Sequence, residues 1–235
     1  MNGWLRREFL HDAATVSAAD SALSASEPND TRRILREDIE WCDIWQPHTN
    51  EAALPRVILI GDSITRGYCA DVDKLLAGKA YVSRIATSSS IGDPALIKQV
   101  ELVMSAQKFD IVHFNNGMHG WDYTEEEYKR YFPELLAVIR KNAPAAKLIW
   151  GTITPVRAAN NVAVIEARTG RVKARNAIAA VYAAADGIPI DDLYRIGEQH
   201  PEFYSDDGVH FNAEGYRALA ASVAESIGRN LPAAR

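Results

Sequence analysis

Arg56-Val57-Ile58-Leu59-Ile60-Gly61-Asp62-Ser63-Ile64-Thr65-Arg66-Gly67 is the stretch on which the reading of this chain turns. Its aliphatic run is opened by Pro55 and closed by Gly61, and consecutive apolar residues without polar alternation predict a strand buried on both faces, as in a parallel sheet. The run stops at a polar elbow, where Gly61 permits a sharp turn and Ile64 opens a predicted helix. Open α/β sheets gather their chemistry at the carboxyl ends of their strands, so Ser63 is the candidate nucleophile. Gly-Asp-Ser is also ordinary turn vocabulary, since glycine accepts positive φ and Asp and Ser bond their own backbone. The tripeptide alone leaves both readings open.

The second motif lies near the other end of the chain, in Tyr204-Ser205-Asp206-Asp207-Gly208-Val209-His210-Phe211-Asn212-Ala213-Glu214-Gly215-Tyr216. Asp207 stands three residues before His210, just ahead of a predicted helix. That spacing lets the carboxylate accept from one ring nitrogen while the other faces a nucleophile. Read alone, Asp206-Asp207 is a solvated turn and His210 a core or surface histidine. Read with Ser63, the order Ser, Asp, His is that of a catalytic triad. With both motifs present, the sequence resembles the GDSL or SGNH hydrolase family over about residues 55 to 228. The resemblance implies a flavodoxin-like three-layer α/β/α sandwich with a mostly parallel, about five-stranded sheet. It also implies ester hydrolysis through an acyl-serine intermediate, without a cofactor.

Acyl transfer further needs donors for the developing oxyanion. Members of the family commonly use the nucleophile's own backbone N–H, a glycine in a second box and an asparagine in a Gly-x-Asn-Asp box after the third strand. Here the third box reads Gly117-Met118-His119-Gly120, with His119 in the asparagine's place. A neutral imidazole N–H can donate, which makes His119 the first candidate and Asn116 the second. The second box falls in Ser88-Ser89-Ser90-Ile91-Gly92-Asp93, where Ser89 stands for the glycine as a backbone donor. For substrate contacts the candidates are Asp62 beside the nucleophile and the aromatic pair Trp121 and Tyr123, whose competing reading is packing under the next helix. A metal held by His113, His119, His210 and Asp207 is disfavoured. Strand alternation fixes His113 on one sheet face, and the sequence has neither a His-Glu-x-x-His motif nor paired cysteines.

Composition fits a single catalytic domain. At 235 residues, 47% apolar and 24% charged, the chain can bury one sizeable core. A net charge of -5 without a long basic cluster gives no footprint for nucleic acid, and no apolar run is long enough to span a bilayer. A small-molecule or carbohydrate ester is the partner this leaves. Cys42 and Cys69 are too few for a disulfide scaffold, and a single bridge between them stays open. Residues 1–28 carry Arg6-Arg7-Glu8-Phe9-Leu10 and then an Ala/Ser/Thr/Val-rich stretch. They resemble a twin-arginine export leader interrupted by Asp12 and Asp20, so export is the expectation and a cytoplasmic protein with a frayed, disordered or helical tail the alternative. Residues 29–54 read as an extension packed on the core, with Trp41 and Trp45 on one packed face. Residues 55–235 read as the hydrolase domain.

Further strands are predicted at 80–85, 110–114, 147–152 and 188–191. Helices are predicted at 94–105, 171–185 and 213–227, and from a Thr124–Glu127 capping box to about residue 142, with Pro133 as a kink or boundary. A short helix or loop follows Ser63. Strand alternating with helix argues for parallel pairing and right-handed crossovers. The function expected is a serine esterase removing acetyl or other short acyl groups from a carbohydrate. A thioesterase or lysophospholipase is the runner-up, and a non-catalytic carbohydrate-binding relative is the contrasting class.

Overall fold

The aliphatic run forms a strand, Arg56–Gly61, with every residue buried, in a computed structural model that describes residues 32–232. Val57 and Leu59 enter one apolar cluster while Ile58 and Ile60 enter the other, because successive strand residues point to opposite faces. In chain order the elements are β1 (Cys42–Trp45), β2 (Arg56–Gly61), α1 (Ser63–Leu75), β3 (Tyr81–Thr87), α2 (Pro94–Ser105), β4 (Ile111–Phe114) and α3 (Glu125–Asn142), then β5 (Lys147–Gly151), β6 (Arg157–Ala158), β7 (Asn161–Ile165), α4 (Thr169–Ala185), β8 (Ile190–Asp191), α5 (Leu193–Gln199) and α6 (Ala213–Asn230).

The main sheet has the order β1-β3-β2-β4-β5-β8 and is parallel throughout except for β1, which runs antiparallel to β3. Without β1 this is the flavodoxin-like order, in which the chain steps from β2 out to β3 and then crosses back to β4 on the other side of β2. The loops after β2 and β4 therefore part at the middle of the sheet, and a crevice opens there. Helices α2, α3 and α4 cover one face; α1 and α6 cover the other.

The expected three-layer architecture is present, with six strands in the sheet rather than about five. The extra strand, β1, is mostly exposed and joins through backbone pairing and an ion pair between Asp43 and Arg84 of β3, so it leaves no apolar pattern to read. Trp41 and Trp45 do not share a packed face. Trp45 is 57% exposed, whereas the Trp41 ring lies under the Arg66 guanidinium at 4.7 Å. Helix α1 is longer than expected because Ile64, Tyr68, Cys69 and Val72 make one buried stripe between polar residues. The β6–β7 hairpin and α5 were not anticipated either.

Pro133 lies inside an uninterrupted α3. Proline cannot donate to the carbonyl four residues earlier, and the Tyr182 hydroxyl donates to that Lys129 carbonyl instead at 3.0 Å. Cys42 and Cys69 are both free thiols. Among the described residues no helix is long and apolar enough to cross a membrane. The leader-like residues 1–28 lie outside the described residues.

The start of α3 is also where the segment before β1 is tied down. Thr124 Oγ1 accepts from the Glu127 backbone at 3.2 Å, and the Thr124 N–H donates to Glu127 Oε2 at 2.8 Å, which completes the capping box. Arg33 adds a bidentate contact to the same carboxylate at 2.7 and 3.0 Å. The Arg33 guanidinium, together with the Thr124 donors, holds the Glu127 carboxyl down at about 2, against burial that acts to raise it. The stabilisation is therefore complete above the ordinary value of 4.5 and is lost as pH falls through about 2. Glu127→Gln is expected to lower the melting temperature near neutral pH, with the difference from wild type shrinking towards about pH 2. Melting curves across that range check this, and a difference independent of pH contradicts it.

Candidate active site

The elbow after β2 is built by a close approach that only glycine allows. A Cβ on Gly61 would collide with the Thr65 side chain one turn into α1. Asp62 caps the helix, its Oδ1 accepting from the Ile64 N–H at 2.9 Å, which leaves Ser63 as the first helical residue at the carboxyl end of β2.

His210 reaches this serine from a loop just before α6. Its Nε2 is 2.8 Å from Ser63 Oγ, and its Nδ1 is 2.7 Å from Asp207 Oδ2. The other oxygen, Asp207 Oδ1, accepts from the backbone N–H groups of Val209 and His210 at 2.9 and 2.8 Å. A single turn thus fixes both acid and histidine. The turn depends on Gly208, which has φ +73° and no room for a Cβ against the Arg157 carbonyl. Burial raises the Asp207 carboxyl, but the bonds from the His210 ring and the two backbone N–H groups outweigh it and hold the group below its usual range. With Asp207 ionised, neutral His210 carries its proton on Nδ1 and offers a bare Nε2 to the serine hydroxyl.

Ser63 and His210 open into a cleft of about 410 Å³. One wall is the loop after β4, including Met118, His119 and Trp121; Ser88 and Ser90 after β3 form the floor beside it. A strap, residues 33–41, contributes Leu35, Arg36, Glu37 and Glu40 to the lining. The strap is pinned at several points besides Arg33. The Leu35 N–H donates to Tyr123 Oη at 2.7 Å, Arg36 pairs with Asp93 at 2.7 Å, and Glu37 pairs with His119 Nδ1 at 2.8 Å. Glu40 accepts from the Ser88 hydroxyl at 2.6 Å and from the Glu37 N–H at 2.9 Å.

The loop after β4 is held from behind by α4. Arg175, almost wholly buried, donates from Nη1 to the carbonyls of Gly117 and His119 at 2.7 and 3.0 Å and from Nη2 to that of Gly120 at 2.9 Å. Arg171 donates to the Tyr123 carbonyl at 2.6 Å and also to that of Trp121. Burial, with Arg171 alongside, pushes the Arg175 guanidinium below its ordinary value. The guanidinium groups of Arg168, Arg171 and Arg175 lie 5.8, 5.6 and 4.7 Å from the centre of the Trp121 ring.

Ser63, Asp207, His210, His119 and Trp121 are thus brought to one site, and four other candidates are placed elsewhere. Ser89 has donated its N–H to Thr87 Oγ1 at 3.1 Å, and its neighbour Ser90 lines the cleft instead. Asn116 is buried behind the loop, donating from Nδ2 to the Ser89 carbonyl at 3.1 Å, while its own carbonyl accepts from Tyr128. Asp62 is consumed as the helix cap and is buried. Tyr123 is buried too and anchors the strap rather than facing substrate. His113 is fully buried against Asp191 at 3.0 Å, and Asp191 also accepts from Ser222. Among the described residues no group of His, Cys, Asp or Glu side chains is arranged to hold a metal ion.

Sequence reasoning missed Glu37, Glu40, Ser90 and the arginines. Only the last had a legible signal, since Arg168, Arg171 and Arg175 are spaced three and four apart and share one helix face.

A model of the GDSL-like Lipase/Acylhydrolase family matches residues 59–218, well over half of the chain. The chain belongs to this family. As a GDSL-like acylhydrolase it is a serine hydrolase of carboxylic esters. Solved structures of the same fold include a GDSL-like lipase from Bacteroides thetaiotaomicron VPI-5482, 21% identical, covering 80% of this chain and 93% of its own, with a TM-score of 0.60. An acetyl xylan esterase is 18% identical, covers 73% of this chain and 99% of its own, and has a TM-score of 0.60. A lipase/acylhydrolase from Enterococcus faecalis is 24% identical over 76% of this chain and 97% of its own, again with a TM-score of 0.60. No curated protein sequence matches the chain.

The elbow makes a specific demand on Gly61. Gly61→Ala is expected to displace Ser63 from His210 and lower kcat by about 10²-fold, the scale of a misplacement near 1 Å. Ester turnover, measured on protein whose circular dichroism matches wild type, tests this. An unchanged kcat contradicts the close-approach argument.

Proposed function

We propose that this hydrolase removes short acyl groups, acetyl foremost, from a carbohydrate, with Ser63 as nucleophile, His210 as general base and Asp207 as the group that orients it. The observation that carries this reading is the unbroken chain of hydrogen bonds from Ser63 Oγ through His210 to Asp207, with Ser63 and His210 lining an open cleft. As Ser63 Oγ attacks the ester carbonyl, its proton passes to His210 Nε2, and the imidazolium formed is stabilised by Asp207. The proton then goes to the departing alcohol, leaving acyl-Ser63. Water, activated by His210 in the same way, releases the acid.

Oxyanion donors come from the Ser63 N–H, which as the first of α1 has no intrahelical acceptor, from the Ser90 N–H in place of Ser89, and from His119. The cleft lining supports a short acyl group on a polyhydroxylated alcohol. Leu35, Met118, Trp121 and Val209 supply apolar lining, whereas Glu37, Glu40, Asp122, Arg36 and Arg168 offer partners for hydroxyl groups. One structural neighbour is an acetyl xylan esterase, and an exported enzyme would meet such a polymer, in keeping with the leader-like residues 1–28.

Acetate release from acetylated oligosaccharides, compared with acyl-thioester and lysophospholipid controls, tests the substrate class. Faster turnover of a thioester or lysophospholipid would replace the carbohydrate reading. Ser63→Ala is expected to lower kcat by roughly 10⁶-fold while leaving the melting temperature nearly unchanged. Near-wild-type turnover by the alanine variant would overturn the nucleophile assignment.

A further inference from the structure

His119 occupies the place of the family's asparagine, yet it is not an equivalent neutral donor. Its Nδ1 lies 2.8 Å from Glu37 Oε1. A ring nitrogen facing a carboxylate at that distance carries the proton, because otherwise two lone pairs would oppose each other. Neutral His119 therefore has a bare Nε2, which can accept a hydrogen bond and cannot donate one. That Nε2 is screened from water and has no hydrogen-bond partner. A buried ring nitrogen left unpartnered at the wall of a catalytic cleft is costly unless a ligand completes it.

Only the imidazolium can donate from Nε2 while Nδ1 stays bonded to Glu37. We propose that Glu37 is a positioning residue that holds His119 as the imidazolium in the transition state, so that the side-chain donor to the oxyanion is a cation. Glu37 lies outside residues 59–218, and the strap thereby joins the catalytic machinery. The proposal rests on the reading of Ser63 as nucleophile. As the carbonyl π electrons move onto oxygen, the ring lies between two negative groups, Glu37 at Nδ1 and the oxyanion at Nε2. No proton leaves His119 in the step.

The other charges around the ring are distributed on both sides. From the strap, Glu40 and Arg36 line the same cleft, and the Trp41 ring meets His119 edge-on at 6.3 Å with Arg66 of α1 behind it. From α4, Arg175 binds the His119 carbonyl rather than the ring, and Arg168 lines the cleft along with Asp122 and His210. Glu37 is the group bonded to the ring itself. On this proposal turnover needs a bare Nε2 on His210 and a protonated Nε2 on His119, so an alkaline limb in the pH profile is the signature that assigns the charge to His119.

The test is the pH profile of kcat on an aryl acetate for wild type, Glu37→Gln, His119→Asn and the double variant, with Ser63→Ala as reference. In wild type both limbs are expected. Glu37→Gln should lose about tenfold in kcat with little change in KM, a partial loss of one oxyanion donor, and its alkaline limb should move to lower pH. His119→Asn should keep the acid limb and lose the alkaline one, because an amide donates without a charge. Adding Glu37→Gln to it should then cost nothing further.

A Glu37→Gln loss of the same size in the His119→Asn background would reduce Glu37 to a strap tether and overturn the proposal. So would an alkaline limb that survives in His119→Asn. Nitrogen-15 resonances of the wild-type histidines, with Ser63 phosphonylated, give an independent readout. Both His119 ring nitrogens should be protonated in that adduct, and a bare Nε2 overturns the proposal even if turnover is never measured. Turnover by Ser63→Ala would be a distinct failure, that of the nucleophile reading, and would take this proposal with it.

Discussion

Ser63 and His210 are separated by 147 positions in the chain, and the rest of the site depends on the hydrogen bond that closes that separation. Such a bond contributes only about 0.5–1.5 kcal/mol net. Burying one large aliphatic side chain contributes about 1.5–3 kcal/mol, and Val57, Ile58, Leu59 and Ile60 are all essentially inaccessible to solvent. The core therefore imposes the geometry on the site. Strand β2 fixes where the elbow stands, while Leu219, Val223 and Ile227 of α6 seat the helix that follows the His210 loop in the same apolar cluster as Val57 and Leu59.

Two further constraints convert this scaffold into a cleft, and both use charged groups against backbone. Arg175 gathers three carbonyls of the loop after β4 around one buried guanidinium, so that loop is fixed by a residue more than fifty positions away. The strap is held through Arg33, Arg36, Glu37 and Glu40, each bonded to a different part of the sheet's carboxyl edge. Its ion pairs join solvent-exposed strap side chains to buried or half-buried partners, and solvent on the strap side weakens each of them. Together they set one position for the strap.

The fold was legible because β2, at the centre of the sheet, is buried on both faces and reads as an unbroken apolar run, with further strands and helices alternating after it. The Ser63, Asp207 and His210 geometry was legible because the acid and histidine share one turn, so their spacing is local. What depended on tertiary pairing was not legible. β1 is added through backbone bonds and has no apolar alternation. The Thr87 hydroxyl takes the N–H of Ser89 while Ser90 lines the cleft, and sequence carries no sign of that choice. Tyr123 and Asn116 were expected near substrate because they flank His119, yet both side chains are buried and bond backbone groups, the Leu35 N–H and the Ser89 carbonyl. Glu37 was invisible because its partner is 82 residues away.

The most direct measurement is to inactivate the full-length protein with an aryl fluorophosphonate and map the covalent adduct by peptide mass spectrometry. A single adduct on the peptide containing Ser63, lost in His210→Ala at neutral pH, is the predicted result. Labelling confined to another serine, or labelling of Ser63 at an undiminished rate without His210, would contradict the assignment of this elbow as the centre of the chemistry.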